Sequence, residues 1–246
     1  MKLEFETDAG IGTRATLGVI VLETDETLEP EFSKVMALDG VALYHSRIPM
    51  VPEIRADTLA KMEKDLPASA RLLPPSLNFD VIGYGCTSAS TVIGSENVAR
   101  AIQTVFPGAL VTDPLAAVIA AAREINAKRL GFITPYVPEV SERMQQRLTE
   151  VGFEIAAFGS FEEGNDQTVA RISETSIIRA AERVAATAPC DAIVISCTNL
   201  RTLNILMEME KRIGVPIISS NQALAWHMLR LAKIKDHRPE FGHLFS

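Results

Sequence analysis

Asp80-Val81-Ile82-Gly83-Tyr84-Gly85-Cys86-Thr87 and Asp191-Ala192-Ile193-Val194-Ile195-Ser196-Cys197-Thr198 are two versions of one phrase, set at a constant offset in opposite halves of the chain. Each has an acidic opening, an apolar run and a Cys-Thr turn. That pattern reads as a strand covered on both faces, with a loop at its C-terminal end. Two further matches flank the pair. Leu17-Gly18-Val19-Ile20-Val21 resembles Leu130-Gly131-Phe132-Ile133-Thr134, and the run from Gly108 to Pro114 resembles that from Gly214 to Gln222. Matched features in the same order point to two homologous halves.

The rest of the chain fits that plan. Strand-like runs occupy 17–22, 41–46, 79–85, 109–112, 130–134, 153–158, 192–196 and 216–219. Helical periodicity occupies 52–73, 91–105, 114–126, 138–151, 167–186, 200–213 and 221–234. Alternation of this kind predicts an α/β protein with parallel sheets and right-handed crossovers. The expectation is two pseudo-symmetric, Rossmann-like α/β domains with a site in the cleft between them. Residues 1–113 with 221–246 form the first, and residues 114–220 the second. The tail 235–246 is polar and contains proline, and is read as either a docked end or a loose one.

Composition narrows the function classes. The chain has 246 residues, 47% of them hydrophobic, and a formal net charge of −7. An acidic chain is not expected to bind nucleic acid, which calls for clustered Lys and Arg. No apolar run reaches the roughly 18 residues of a membrane span, and the N-terminus Met1-Lys2-Leu3-Glu4-Phe5-Glu6 has no secretory core, so a cytoplasmic protein without membrane contact is expected. Three cysteines at wide spacing make neither a disulfide framework nor a metal pattern. No glycine-rich phosphate loop and no serine-elbow motif occurs.

The chemistry rests on Cys86 and Cys197. Each follows a strand at the edge where open parallel sheets bind ligands. Hydroxyl and amide residues follow each: Thr87 and Ser88, and Thr198 and Asn199. These are read as helix starts, whose free N–H groups suit a substrate carboxylate and whose dipole lowers a thiol's pKa below about 8.5. Two thiols facing one small substrate suit a cofactor-free isomerase, in which one removes a proton or attacks and the other completes the exchange. Cys190 precedes its strand, has Phe79 as its counterpart and is assigned to packing. Asp166 reads as a helix N-cap, Asn165 as a residue reaching the cleft, and His45 and His227 as surface or packing residues.

Gly85-Cys86-Thr87-Ser88 and Ser196-Cys197-Thr198-Asn199 resemble the motifs of the aspartate/glutamate racemase superfamily, most closely the branch of maleate cis–trans isomerases and arylmalonate decarboxylases. The opening stretch from Leu17 to Phe32 and the segment Thr134-Pro135-Tyr136 extend the likeness over nearly the whole chain. The resemblance implies no cofactor, catalytic thiols at Cys86 and Cys197, and a small carboxylate substrate held by Thr87, Ser88, Tyr136, Thr198, Asn199 and Asn165. It also implies a homo-oligomer. Two departures stand out. The decarboxylases carry glycine where this chain has Cys86. The isomerases carry Pro-Ser and then Asn in the opening loop, where this chain has Leu22, Glu23 and Asp25. An anionic Asp25 repels a second substrate carboxylate and attracts an ammonium group, or orients or deprotonates a thiol. The residues leave three readings open: an isomerase (racemisation or cis–trans isomerisation), a malonate-type decarboxylase, and a bilobed binding protein without catalysis.

Overall fold

Asp80 and Asp191 each pin a central strand to its neighbour. The Asp80 carboxylate accepts the Thr16 N–H at 2.8 Å, and the Asp80 N–H donates to Thr16 O at 2.9 Å. Asp191 accepts the N–H groups of Lys128 and Arg129, each at 2.8 Å, and donates its own to Arg129 O at 2.7 Å. The repeated acid is thus a strand-pairing device, used once in each half.

The computed structural model describes residues 1–51 and 55–246. Strands β1 (Ala15–Leu22), β2 (Val41–Ile48), β3 (Val81–Gly85) and β4 (Leu110–Thr112) form one parallel sheet in the order β2-β1-β3-β4. Strands β5 (Arg129–Thr134), β6 (Glu154–Ser160), β7 (Ala192–Ile195) and β8 (Ile217–Ser219) form a second in the order β6-β5-β7-β8. The register repeats as well: Leu17 lies opposite Val81, and Leu130 opposite Ala192. All eight expected strands form, with ends displaced by a residue or two, and the α/β architecture of two parallel-sheet halves stands.

The helices differ more. An unexpected helix, α1 (Leu28–Val35), follows β1. Helix α2 (Ala56–Ala70) fills the 52–73 segment, whose residues 52–54 lie outside the described residues. The expected 91–105 helix is two helices, α3 (Thr87–Ile93) and α4 (Ser95–Gln103), separated by Gly94 at φ +87°. That backbone angle is open to glycine and strained for other residues. Helices α5 (Pro114–Glu124) and α6 (Pro138–Glu150) follow expectation. The 167–186 segment splits into α7 (Asp166–Val169) and α8 (Glu174–Thr187), because Ser173 caps the second helix by accepting the Ser176 N–H. Helix α9 (Leu206–Ile213) starts only after a 3₁₀ turn at Leu203–Ile205.

Helix α10 (Ser220–Leu231) leaves the second sheet and packs on β3 and α5 of the preceding chain. Gly83 permits this, since a Cβ there would stand 2.6 Å from Met228 Sδ. The tail is docked: Phe241, Leu244 and Phe245 are buried, and Gln222 Nε2 donates to Phe241 O at 2.7 Å.

Candidate functional site

Five loops reach the C-terminal ends of the parallel strands and meet between the two sheets: those after β1, β3, β5, β6 and β7. Each is fixed by bonds that its own sequence supplies. Cys86 is the N-cap of α3, and its sulfur accepts the Ala89 N–H at 3.3 Å with Ser88 Oγ at 3.6 Å. Cys197 Sγ accepts the Asn199 N–H at 3.3 Å. No helix opens at Thr198, contrary to the sequence reading. The loop after Cys197 is pinned instead from the other half, where Glu31 Oε1 accepts the N–H groups of Thr202 and Leu203, each at 2.8 Å.

The two cysteine turns meet across the halves, since Thr198 beside Cys197 donates its hydroxyl to the carbonyl of Gly85 beside Cys86 at 3.4 Å. Tyr136 is buried beside them: its hydroxyl favours the Cys197 thiolate, and charge on either sulfur opposes ionisation of the phenol. The backbone carbonyl of Tyr136 is held by Ser160 Oγ at 2.6 Å and Ser141 Oγ at 3.1 Å, which fixes the loop after β5. Asp166 acts on the same space: its charge opposes ionisation of Cys86, Cys197 and Tyr136 alike.

Burial dominates the electrostatics. Cys86 is 1% exposed, and burial pushes its thiol up to about 12; Cys197 is pushed higher still by burial and by Asp166. The expected acidic thiols are therefore corrected. Desolvation of a thiolate outweighs one N–H bond and the short helix behind Cys86. Both sulfurs are protonated while the site is closed. Asp25, also buried, is raised to about 6 by desolvation, against the lowering effect of the Leu28 and Thr27 N–H groups on its Oδ1 at 2.7 and 2.8 Å. Asp25 Oδ2 is buried without a hydrogen-bond partner among the described residues, with the Thr198 hydroxyl near enough to lower its pKa.

The remaining expected residues are engaged with the protein. Thr87 Oγ1 pairs with Ser220 Oγ at 3.0 Å, and Thr198 Oγ1 donates to Gly85 O at 3.4 Å. Asn199 uses both ends of its amide, accepting the Glu26 N–H at 3.0 Å and donating to Asp166 O at 3.1 Å. Asn165 and Asp166 exchange their expected roles. Asn165 is the N-cap of α7, accepting the Thr168 N–H at 3.1 Å, while Asp166 is buried and takes the Thr24 hydroxyl. Cys190 is half-buried behind β5, 3.4 Å from where a Cβ of Gly131 would stand, and belongs to packing. His227 bonds Thr112 Oγ1 at 2.8 Å, and His45 is exposed on β2. Sequence reading missed Asp166, Glu31 and Thr24. A signal existed for Asp166 alone, as the second of the polar pair Asn165-Asp166 that opens a helix beside the cleft.

The arylmalonate decarboxylase family model matches residues 101–245, a stretch that contains Tyr136, Asn165 and Cys197 but stops short of Cys86. The chain belongs to the arylmalonate decarboxylase family. It is 29% identical over 198 residues to the arylmalonate decarboxylase of Bordetella bronchiseptica, covering 80% of this chain and 78% of that one. It is 25% identical over 238 residues to the maleate isomerase of Nocardia farcinica, covering 93% and 94%. A crystal structure of an arylmalonate decarboxylase mutant, in which a glycine is replaced by cysteine and a cysteine by serine, superposes with a TM-score of 0.83 at 25% identity, covering 94% of this chain and 99% of that one. The branch expected from the cysteine motifs stands, and with it an enzyme acting through cysteine. Among the described residues no helix is long and apolar enough to cross a membrane.

Proposed function

We propose that the protein is a cofactor-independent isomerase of a small carboxylic acid, with Cys86 and Cys197 as the two catalytic thiols. One observation carries the reading: Thr198, next to Cys197, hydrogen-bonds the carbonyl of Gly85, next to Cys86, so the two cysteine turns come together from the two halves. The substrate carboxylate lies against Ser88 and the hydroxyl of Tyr136, with Thr87, Thr198, Asn199 and Asn165 holding the loops that shape this pocket. Reaction requires one sulfur as thiolate, so that thiol gives up its proton to water before the substrate seals the site. The thiolate takes a proton from one face of the substrate, or adds to a double bond, and the opposite thiol completes the exchange. Seated substrate excludes water further, so charge stabilisation must come from the fixed hydroxyls and N–H groups. Similarity to a maleate isomerase over nearly the full length supports this class.

The likeness to a decarboxylase favours a second reading, loss of carbon dioxide from an activated malonate, in which one thiol suffices to protonate the product carbanion. Cys86→Ala and Cys197→Ala separate the two. Isomerisation is expected to fall to background in both variants. Decarboxylation that survives Cys86→Ala and vanishes in Cys197→Ala sinks the isomerase reading.

A further inference from the structure

We propose that residues 2–8 of one copy of this chain add a strand to the open edge of β6 in a second copy, so that two copies join through sheet pairing and matched charge. The contact does not depend on the reaction assigned above.

Met1-Lys2-Leu3-Glu4-Phe5-Glu6-Thr7-Asp8 alternates uncharged with charged side chains without a break. A period of two is the pattern of a strand whose faces meet different surroundings. Yet residues 1–10 pair with no strand among the described residues, and Leu3 and Phe5 are 71% and 79% exposed. A lone strand has no ladder and buries nothing, so the pattern calls for a partner. Gly10, at φ +74°, donates its N–H to Asp8 Oδ1 at 2.8 Å, a turn that parts the segment from β1. The body of the same chain leaves Leu3 and Phe5 bare, and a second copy is the partner that can cover them.

The two sheets end in four edge strands. β4 and β8 span three residues each, and on β2 the cation Arg47 is already held by three carbonyls and Glu29. β6 differs. Its seven residues equal residues 2–8 in length, and β5 is its one strand neighbour among the described residues. Its outer row of N–H and C=O groups is therefore open to a further strand. The two faces of this edge are unlike. Gly159 faces α8, since a Cβ there would stand 3.1 Å from Val184 Cγ2. On that side a groove of about 510 Å³ is lined by Phe161 and by Ser176, Arg179 and Arg183 of α8. Both arginines are exposed, and neither guanidinium has a hydrogen bond or ion pair among the described residues. Phe158, next in the strand, faces the other way. It stacks on Phe132 with ring centroids 6.1 Å apart and remains 41% exposed.

A strand added here sets one row of side chains under α8 and the other beside Phe158. Glu4 and Glu6 stand about 6.6 Å apart along a strand, and Arg179 and Arg183 about 6 Å apart along a helix, so the two acids match the two cations in spacing. With the acids toward α8, Leu3 and Phe5 fall on the side of Phe158, and apolar surface is covered in both copies. A slip of one residue reverses both faces at once, so charge and burial select the same register. Each copy carries one segment and one edge, and mutual exchange closes a pair.

Light scattering after gel filtration, with sedimentation over a concentration series, reads the assembly of the full chain. The wild type is expected to pair. Glu4→Arg with Glu6→Arg, and separately Arg179→Glu with Arg183→Glu, are each expected to raise the dissociation constant about tenfold or more, and all four changes together to restore it. Phe5→Ser is expected to weaken pairing through the other face. All five side chains are exposed, so circular dichroism should show unchanged folding. A wild type that remains a single copy at every concentration overturns the proposal, including the case in which the segment lies on its own β6. A pair that neither charge reversal loosens, or that the fourfold variant fails to restore, puts the joint elsewhere and overturns it equally.

Discussion

A thiol at a helix start is ordinarily made more acidic by the N–H groups it faces. Cys86 has that placement, with the Ala89 N–H on its sulfur, and its thiol still lies at about 12 because almost none of it reaches water. Helix placement was legible in the sequence; the depth of burial was not, because it comes from loops of the other half closing over the turn. Reactivity toward iodoacetamide should follow burial. In the ligand-free protein at pH 8, half-buried Cys190 is expected to be labelled first, with Cys86 and Cys197 much slower, as mass spectrometry of the modified peptides will show. Faster labelling of the buried pair would mean that the resting site stands open. Tyr136 supplies a second check. Its hydroxyl favours the thiolate of Cys197, so Tyr136→Phe is expected to lower kcat by about a hundredfold in steady-state assays, a loss typical of removing one fixed donor, with the melting temperature little changed. The cysteines declared themselves through repetition. Asp166 did not, since its neighbour Asn165 serves equally well as a cap and only the three-dimensional path of the loop decides which of the two turns inward.

Helix α1 shows how a functional loop hides an element. The acids Glu23, Asp25, Glu26, Glu29 and Glu31 read as a solvated stretch, yet Leu28, Phe32 and Val35 lie on one helical face and are all fully buried or nearly so. The helix starts where it does because Asp25 Oδ1 accepts the N–H groups of Thr27 and Leu28. The strands were easier to read, because burial on both faces leaves an uninterrupted apolar run that no helix period explains. Packing joins α1 to the end of β3 through Gly85, where an added Cβ would stand 2.6 Å from Leu28 Cδ1 and 3.3 Å from Ile20 O. Leu28 can swing aside; the carbonyl of β1 cannot move without disturbing the sheet. Gly85→Ala is therefore expected to cost about 1–3 kcal/mol in urea unfolding. It should also reduce activity beyond that loss of stability, because α1 carries the loop of Asp25 and Gly85 precedes Cys86. Unaltered activity in a fully folded variant would detach α1 from the site.

At the scale of the whole molecule, polar contacts join the two halves beside the site, and Glu31 is the centre of that joint. From α1 it accepts the backbone of Thr202 and Leu203 and the amide of Asn221, whose Nδ2 also reaches Thr198 O at 2.7 Å. No sequence pattern marks this role, since it depends on residues roughly 170 positions away being brought together by the duplicated fold. Burial raises the Glu31 carboxyl to about 7, above the value near 4.3 of an unfolded chain, despite three hydrogen bonds to its anion. The folded state thus binds this proton more tightly than the unfolded state does. Its contribution to stability is complete below about pH 4 and is lost as pH rises toward 7, amounting to roughly 3–4 kcal/mol in all. Asp25, raised to about 6, adds a loss of the same sign over a slightly lower window. His227, whose pKa burial lowers, acts in the opposite direction as pH falls. Comparing one variant with the wild type across pH isolates Glu31 from all of these. Glu31→Gln is expected to flatten the fall in unfolding free energy between pH 4.5 and 7.5 while leaving the rest of the profile in place, and chemical denaturation at a series of pH values measures it. Parallel curves for wild type and variant would show that the joint is solvated in solution, and that the halves part readily enough for water to reach the carboxylate at their centre.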